Sequence, residues 1–217
     1  MFIGTTNPGK VAEFAAILAP LGVPLEVVAL DVPETTDTFE GNARQKALAY
    51  AAQVGEVVVS EDSGLGVTAL DGLPGPWSAR FSDCVLEERR VVGVQESGRT
   101  REEIDAANNA RVLALLADVP MPHRAAKFVV HLVVARPGKV LFEAHAEVHG
   151  WISDGLRGTH GFGYDPIFVG QDTFGKTFAE LDPVRKNIRS HRKKVLAEFG
   201  LWAAQAVKDG VLRSSEV

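Results

Sequence analysis

The sequence predicts an α/β protein with a mixed β-sheet flanked by helices. Two observations carry this. Between Phe2 and Val59, apolar runs of strand length alternate with segments of helical periodicity, the pattern of parallel βαβ units. Further on, two long apolar strands are separated only by Pro137-Gly138. The second alternates Glu143, His145, Glu147 and His149 with Ala144, Ala146 and Val148, which describes an antiparallel hairpin with one wet face.

The elements follow in order. Phe2 and Ile3 open the first strand, and the loop Gly4-Thr5-Thr6-Asn7-Pro8-Gly9-Lys10 follows it. Asn7 is placed to cap a helix, with Pro8 at its first position. Val11, Phe14, Ala15 and Leu18 recur at helical spacing until Pro20 and Gly22. Residues 25–30 read as a second strand, and a polar link over 31–38 carries Glu34. Asp37 and Glu40 have capping-box spacing for a second helix. Its apolar stripe is Phe39, Ala43, Ala47, Tyr50 and Ala51, and Gly55 stops it. Asn42 and Lys46 share another face, with Gln45 beside them.

Val57, Val58 and Val59 read as a buried strand that stops at Glu61, Asp62, Ser63 and Gly64. Gly72, Pro74, Gly75 and Pro76 break the chain. Residues 82–98 are charged and fit no element. Thr100 with Glu103 is a second capping box, and Ala106, Ala110, Leu113 and Ala117 form the stripe of the helix it opens. Strands at 127–135 and 140–152 follow, then a glycine-rich stretch over 155–163. Asp182 and Pro183 start a short helix, and Ser190 is placed to cap the last one, with Val195, Phe199, Trp202 and Ala206 facing the core. The tail from Arg213 reads as frayed. Nothing resembles a linker, so residues 1–217 read as one domain.

Bulk composition narrows the function classes. Hydrophobic residues at 46% and charged residues at 24% are ordinary for a globular protein. A net charge of −5 argues against a general nucleic-acid or membrane-surface binder, since phosphate backbones need a basic face. It leaves room for a small anionic ligand held by a local cluster of Lys and Arg. Cys84 is the one cysteine, so neither an intrachain disulfide nor a Cys-based zinc site exists, and its thiol reads as inert. No signal peptide and no stretch of membrane-spanning length are visible, and the expectation is a cytoplasmic protein.

Four groupings carry chemistry. The first is the loop from Gly4 to Lys10, which nearly matches a P-loop. Val11 stands where that motif needs a hydroxyl for magnesium, and Pro8 removes a backbone N–H. What survives is a helix start with a glycine and a lysine that suits an anion, beside the plain alternative of a capped helix with a surface lysine. The second grouping is acidic. Glu61 and Asp62 stand at the expected C-terminal end of a parallel strand, where open α/β sheets bind ligands. Adjacent acids need a cation or donors. If the neighbouring strand brings Glu34 to the same edge, these tips can share one magnesium with a phosphate substrate. Acids in a polar turn are the plain alternative.

The third grouping is basic: Lys10, Lys46, Arg80, Lys186, His191 and Arg192, each near a helix start or turn. The fourth is the stretch GTHGFGYDP, which is not a dinucleotide fingerprint. Phe162 or Tyr164 can stack on a base there, and Asp165 can accept hydrogen bonds from one. A metal on the His145 and His149 face is disfavoured, because side chains four apart along a strand are too distant to share an ion. No Gly-x-Ser-x-Gly elbow is present.

The order of these blocks is more specific than any one of them. TTNPGKVAEF, FEGNARQKA, SEDSGLGVTALDGLPGPWSARF, GFGYDPIF and FAELDPVRKNIRSHR together resemble the inosine triphosphate pyrophosphatase family over residues 1–200. That resemblance implies an elongated α/β fold of two lobes with the active cleft between them, in a homodimer. It also implies magnesium-dependent hydrolysis of ITP, dITP and XTP to the monophosphate and pyrophosphate. By resemblance, Thr5, Thr6, Asn7, Pro8, Gly9 and Lys10 form the triphosphate loop, with Lys46 adding charge. Glu34 and Asp62 are the metal carboxylates, Asp62 is the general base, and Lys10 serves catalysis beside it. Ser63 contacts substrate, and Phe162, Gly163, Tyr164, Asp165, Lys186, His191 and Arg192 contact the base and nucleotide.

Two departures stand out. Glu61 occupies a position where many relatives carry Asp, and residues 85–101 match poorly. The alternatives are a Maf-like pyrophosphatase with another base preference, or a nucleotide-binding regulatory module without turnover. A P-loop kinase is disfavoured by Val11.

Overall fold

In the computed structural model, residues 1–5, 8–30, 32–95 and 97–213 are described, apart from the side chains of Pro8 and Gly9. The elements are β1 (Phe2–Gly4), α1 (Pro8–Leu18), β2 (Glu26–Val28), α2 (Phe39–Val54), β3 (Val58–Val67), β4 (Cys84–Glu87) and β5 (Arg90–Val94). They continue with α3 (Arg101–Leu115), β6 (Ala125–Arg136), β7 (Lys139–Ile152), β8 (Phe168–Gly170), α4 (Pro183–Arg189) and α5 (His191–Lys208). The main sheet has the order β2-β1-β3-β6-β7-β8. β1 runs parallel to β2 and β3, and β8 runs antiparallel to β7, so the sheet is mixed and flanked by helices, as the alternation of periods predicts.

The chain divides into two compact units. One comprises Met1–Asp62, Val130–Ala146 and Arg192–Val217, and the other Ser63–Val129 and Glu147–His191. The first unit is layered by the pleat, because successive strand residues point to opposite faces. Val59, Leu132 and Val134 pack with Phe14 and Leu18 of α1 and Val195 and Phe199 of α5. Val58, Val133 and Ala135 pack on the other face with Ala43, Ala47, Tyr50 and Ala51 of α2. Gly4 is required by this packing, since a Cβ there would stand 2.5 Å from the Tyr50 ring. The second unit has its own core around Leu65, Phe81, Val112, Phe128, Ile152, Phe168 and Phe178. The rings of Phe128 and Phe168 lie 4.4 Å apart.

Several expectations are corrected. β3 does not stop at the acids: Glu61 and Asp62 sit inside a ten-residue strand. Its parallel pairing with β1 ends at Val59 because β1 is short, while Leu65 and Val67 keep the strand going by packing into the second core. The strand expected over 25–30 is only Glu26–Val28. The cap of α2 is Thr38, whose hydroxyl accepts from the Gly41 N–H at 3.0 Å, so Asp37 and Glu40 do not form a capping box. Residues 84–94, fitted to no element from sequence, form the β4–β5 hairpin, turned by Glu88 and Arg89 at φ 45° and 62°.

The stripe of α3 is also different. Ala106, Ala110 and Ala117 are exposed, and the buried positions are Asn108, Asn109, Val112 and, just beyond the helix, Leu116. Its capping box of Thr100 and Glu103 is present as the spacing predicts. The cap expected from Asn7 and the frayed end beyond Arg213 lie outside the described residues.

Cys84 is buried and free, and burial pushes its thiol up from the usual range. Because the thiolate is the reactive form, a thiol reagent is expected to leave the native protein unmodified and to label one thiol per chain in guanidinium. Stoichiometric labelling without denaturant contradicts this packing.

Candidate active site

Glu61 and Asp62 are both buried, and two ionised carboxylates in a strand interior are costly unless each is paired. The pleat separates them. Glu61 shares the face of Val59, toward α1 and α5, where Lys10 Nζ lies 2.9 Å from its Oε1 and Arg192 Nε lies 3.1 Å from the same oxygen. Burial alone would raise the Glu61 pKa, but the two cations outweigh it and bring it down to about 2. Arg192 also lies 3.6 Å from Glu13 on α1.

Asp62 points to the α2 face. Its Oδ2 accepts from Asn42 Nδ2 at 3.3 Å and its Oδ1 from Lys46 Nζ at 3.2 Å. Burial, followed by the charge of Glu34, raises its pKa against the pull of Lys46 and Asn42. Lys46 also donates to Glu34 Oε1 at 2.7 Å. Burial lowers the Lys46 pKa, but Asp62 and Glu34 together carry it above the usual value, so the ammonium stays charged.

One face of α2 arranges the Asp62 side of this site. Asn42 is 1% exposed, and its Oδ1 accepts from the Thr36 hydroxyl at 2.8 Å and the Thr36 N–H at 3.1 Å. Gln45 Oε1 accepts from the Thr35 hydroxyl at 3.0 Å. The link that carries Glu34 is thereby laid along α2. Gly41 allows the close approach, since a Cβ there would stand 2.4 Å from Thr36 Oγ1.

The second unit holds the aromatic loop. Phe162 is 55% exposed, with the Lys186 ammonium 4.5 Å from its ring centroid, within cation–π range. Lys186 also pairs with Asp165, whose Oδ2 accepts from the Phe162 N–H at 2.8 Å. Asp165 is therefore engaged by its own loop and by α4. Tyr164 is 5% exposed and its hydroxyl donates to Ser78 O at 2.9 Å. That corrects the reading of Tyr164 as a stacking surface; Phe162 is the ring of this loop that faces solvent. His191 stacks on Phe128 with centroids 5.1 Å apart.

Of the residues singled out from sequence, Lys10, Glu34, Lys46, Asp62 and Arg192 lie in the first unit, where they are gathered around the two acids. Ser63, Phe162, Gly163, Tyr164, Asp165, Lys186 and His191 lie in the second. Thr5 is half-buried after β1. Thr6, Asn7 and the side chains of Pro8 and Gly9 fall outside the described residues. The partnership of Glu61 with Arg192 joins residues 131 positions apart, beyond the reach of any local sequence pattern.

The model of the Ham1 family matches residues 1–202. The chain belongs to the Ham1 family. A relative from Desulforamulus reducens named dITP/XTP pyrophosphatase is 40% identical over 203 residues, covering 90% of this chain and 91% of that one. One of the same name from Streptococcus mutans is 40% identical over 212 residues, covering 93% of this chain and 60% of its own longer length. The solved Staphylococcus aureus Ham1 protein is 32% identical with a TM-score of 0.74, covering 93% of this chain and 96% of that one.

Glu34 and Asp62 each place an oxygen on the same ammonium, so two carboxylates converge on one cation. Magnesium takes one or two carboxylates and keeps its other positions for water and phosphate oxygens, and this pair fits that pattern. Among the described residues no three His, Cys, Asp or Glu side chains are grouped to hold a metal by themselves.

Removing the Glu61 charge leaves Lys10 and Arg192 facing each other in a buried setting. Glu61→Gln is expected to cost about 3 kcal/mol of folding stability, read as a lower urea midpoint. An unchanged midpoint contradicts the pairing.

Proposed function

We propose that this chain hydrolyses non-standard purine nucleoside triphosphates, ITP, dITP and XTP, to the monophosphate and pyrophosphate. The observation that carries the reading is the convergence of Glu34 and Asp62 on Lys46 in a chain of the Ham1 family, whose relatives bear the name dITP/XTP pyrophosphatase.

In this reading, a water oxygen bonds to the α-phosphorus, and the bond from that phosphorus to the bridging oxygen breaks. Pyrophosphate leaves with the bridging oxygen. Asp62 accepts the water proton; burial, which raises its pKa, makes it a stronger base. Asn42 and Lys46 fix the direction of its lone pairs. Lys10 supplies positive charge toward the phosphates, where charge stabilisation is the main catalytic term. Magnesium, held by Glu34 and Asp62, supplies neutralisation of the triphosphate and its leaving group when bound.

Base selection follows from donors. The 6-keto oxygen of hypoxanthine or xanthine accepts hydrogen bonds, and this reading assigns the donors to His191, Arg192 or nearby backbone. Adenine's 6-amino group would face donor against donor, a mismatch of about 1–3 kcal/mol. Phe162 supplies the stacking face. The same reading carries a cytoplasmic homodimer.

The test is product analysis with magnesium and ITP, XTP, GTP, ATP or dTTP. Pyrophosphate and monophosphate from ITP and XTP, far faster than from ATP, are expected, with turnover abolished by a chelator. Asp62→Asn is expected to lower kcat by at least about a hundredfold with its far-ultraviolet circular dichroism unchanged. Release of orthophosphate, equal rates on ATP and ITP, or a fully active Asp62→Asn contradicts the reading.

A further inference from the structure

The buried polar face of α3 has no part in the chemistry above. Asn108 and Asn109 are 1% and 3% exposed, and buried amides are costly unless hydrogen-bonded. Asn108 is bound to the segment after β3: its Oδ1 accepts from the Ser82 N–H at 2.6 Å and its Nδ2 donates to Ser78 O at 3.2 Å. Asn109 reaches elsewhere. Its Nδ2 donates to Gly163 O at 2.8 Å and to Asp105 O at 2.8 Å. Two carbonyls at that end of the amide fix it as the donor end. One turn earlier, Asp105 Oδ2 accepts from the Gly163 N–H at 2.9 Å.

Both backbone polar groups of Gly163 are thus held by one helix far away in sequence. Gly163 has φ 59°, a conformation that glycine takes readily and other residues rarely. The next residue is tied to the same region, since the Tyr164 hydroxyl and Asn108 Nδ2 share the carbonyl of Ser78. On either side of this clamped pair stand Phe162, with its exposed ring, and Asp165, with its Lys186 partner. A rotation about Gly163 would move both. Recognition groups need rigid support, and small misplacements are costly to selectivity.

We propose that Asp105 and Asn109 are positioning residues that set base selectivity by fixing the backbone of Gly163, and with it the presentation of Phe162 and Asp165. This rests on the reading of residues 162–165 as base contacts. Neither residue touches the nucleotide; both act through the loop. Asp105→Ala removes the acceptor, whereas Asp105→Asn keeps an amide oxygen that can replace it.

The test compares kcat/KM for ITP and ATP, alongside hydrogen exchange of the Gly163 amide, in the wild type, Asp105→Ala and Asp105→Asn. In Asp105→Ala the ITP-to-ATP ratio is expected to fall by about tenfold, the worth of one hydrogen bond lost from the support of the recognition loop. KM for ITP should rise more than kcat falls, and the Gly163 amide should exchange faster. Asp105→Asn should restore most of both. A merely structural role lowers both substrates alike and leaves the ratio intact.

If Asp105→Ala fails to fold, Gly163→Ala strains the same backbone from the loop side, where an added Cβ meets nothing within 4 Å, and it should shift the ratio in the same direction. A wild type that leaves ITP intact overturns the functional reading and the selectivity claim with it. An active wild type with an unchanged ratio, or unchanged Gly163 exchange, in the folded variant overturns this proposal alone.

Discussion

Two adjacent buried carboxylates on β3 must each be neutralised, and the strand pleat decides how. Successive side chains leave opposite faces, so Glu61 and Asp62 cannot share partners. Glu61 enters the α1 and α5 layer and binds Lys10 and Arg192. Asp62 enters the α2 layer and binds Asn42 and Lys46. Lys10, Lys46, Arg192 and, through Lys46, Glu34 are therefore placed by one pair of acids. Breaking either pairing leaves buried charge, which is far more costly than a lost surface ion pair.

The helices answer this demand with polar faces. On α2 the apolar stripe packs against the sheet, while Gly41, Asn42, Gln45 and Lys46 hold the 34–36 link and Asp62 together. On α3 the buried face itself is polar, with Asn108 and Asn109 bonded to backbone across the second unit. Each buried polar atom used in this way fixes a loop that a hydrophobic contact would leave free to slide.

Much of this was legible in the sequence. Mixed sheet, hairpin, helix order, the glycine stop of α2 and the capping box of α3 follow from periodicity and turn chemistry, and the ordered motifs pointed to the family. Four features were not legible, each for a physical reason. The acids look like a strand end because charge normally stays out of sheet interiors; Lys10 and Arg192 on Glu61, and Asn42 and Lys46 on Asp62, all distant in sequence, allow the strand to continue. The α3 stripe was read from its alanines, whereas asparagines won the buried face through hydrogen bonds that no periodicity displays. An aromatic side chain in a glycine-rich loop suggests stacking, but the carbonyl of Ser78 gives the Tyr164 hydroxyl a buried partner. The hairpin of 84–94 has alternating but short apolar residues, and its left-handed turn uses Glu88 and Arg89 where glycine would have signalled it.

Glu61 holds cations of the protein, whereas in the proposed function Asp62 serves the metal. Manganese(II) titrated in the presence of a non-hydrolysable ITP analogue, read by electron paramagnetic resonance, tests this most directly. Asp62→Asn is expected to weaken manganese by at least about tenfold while Glu61→Gln stays within about threefold of the wild type. Equal losses in the two variants would contradict it.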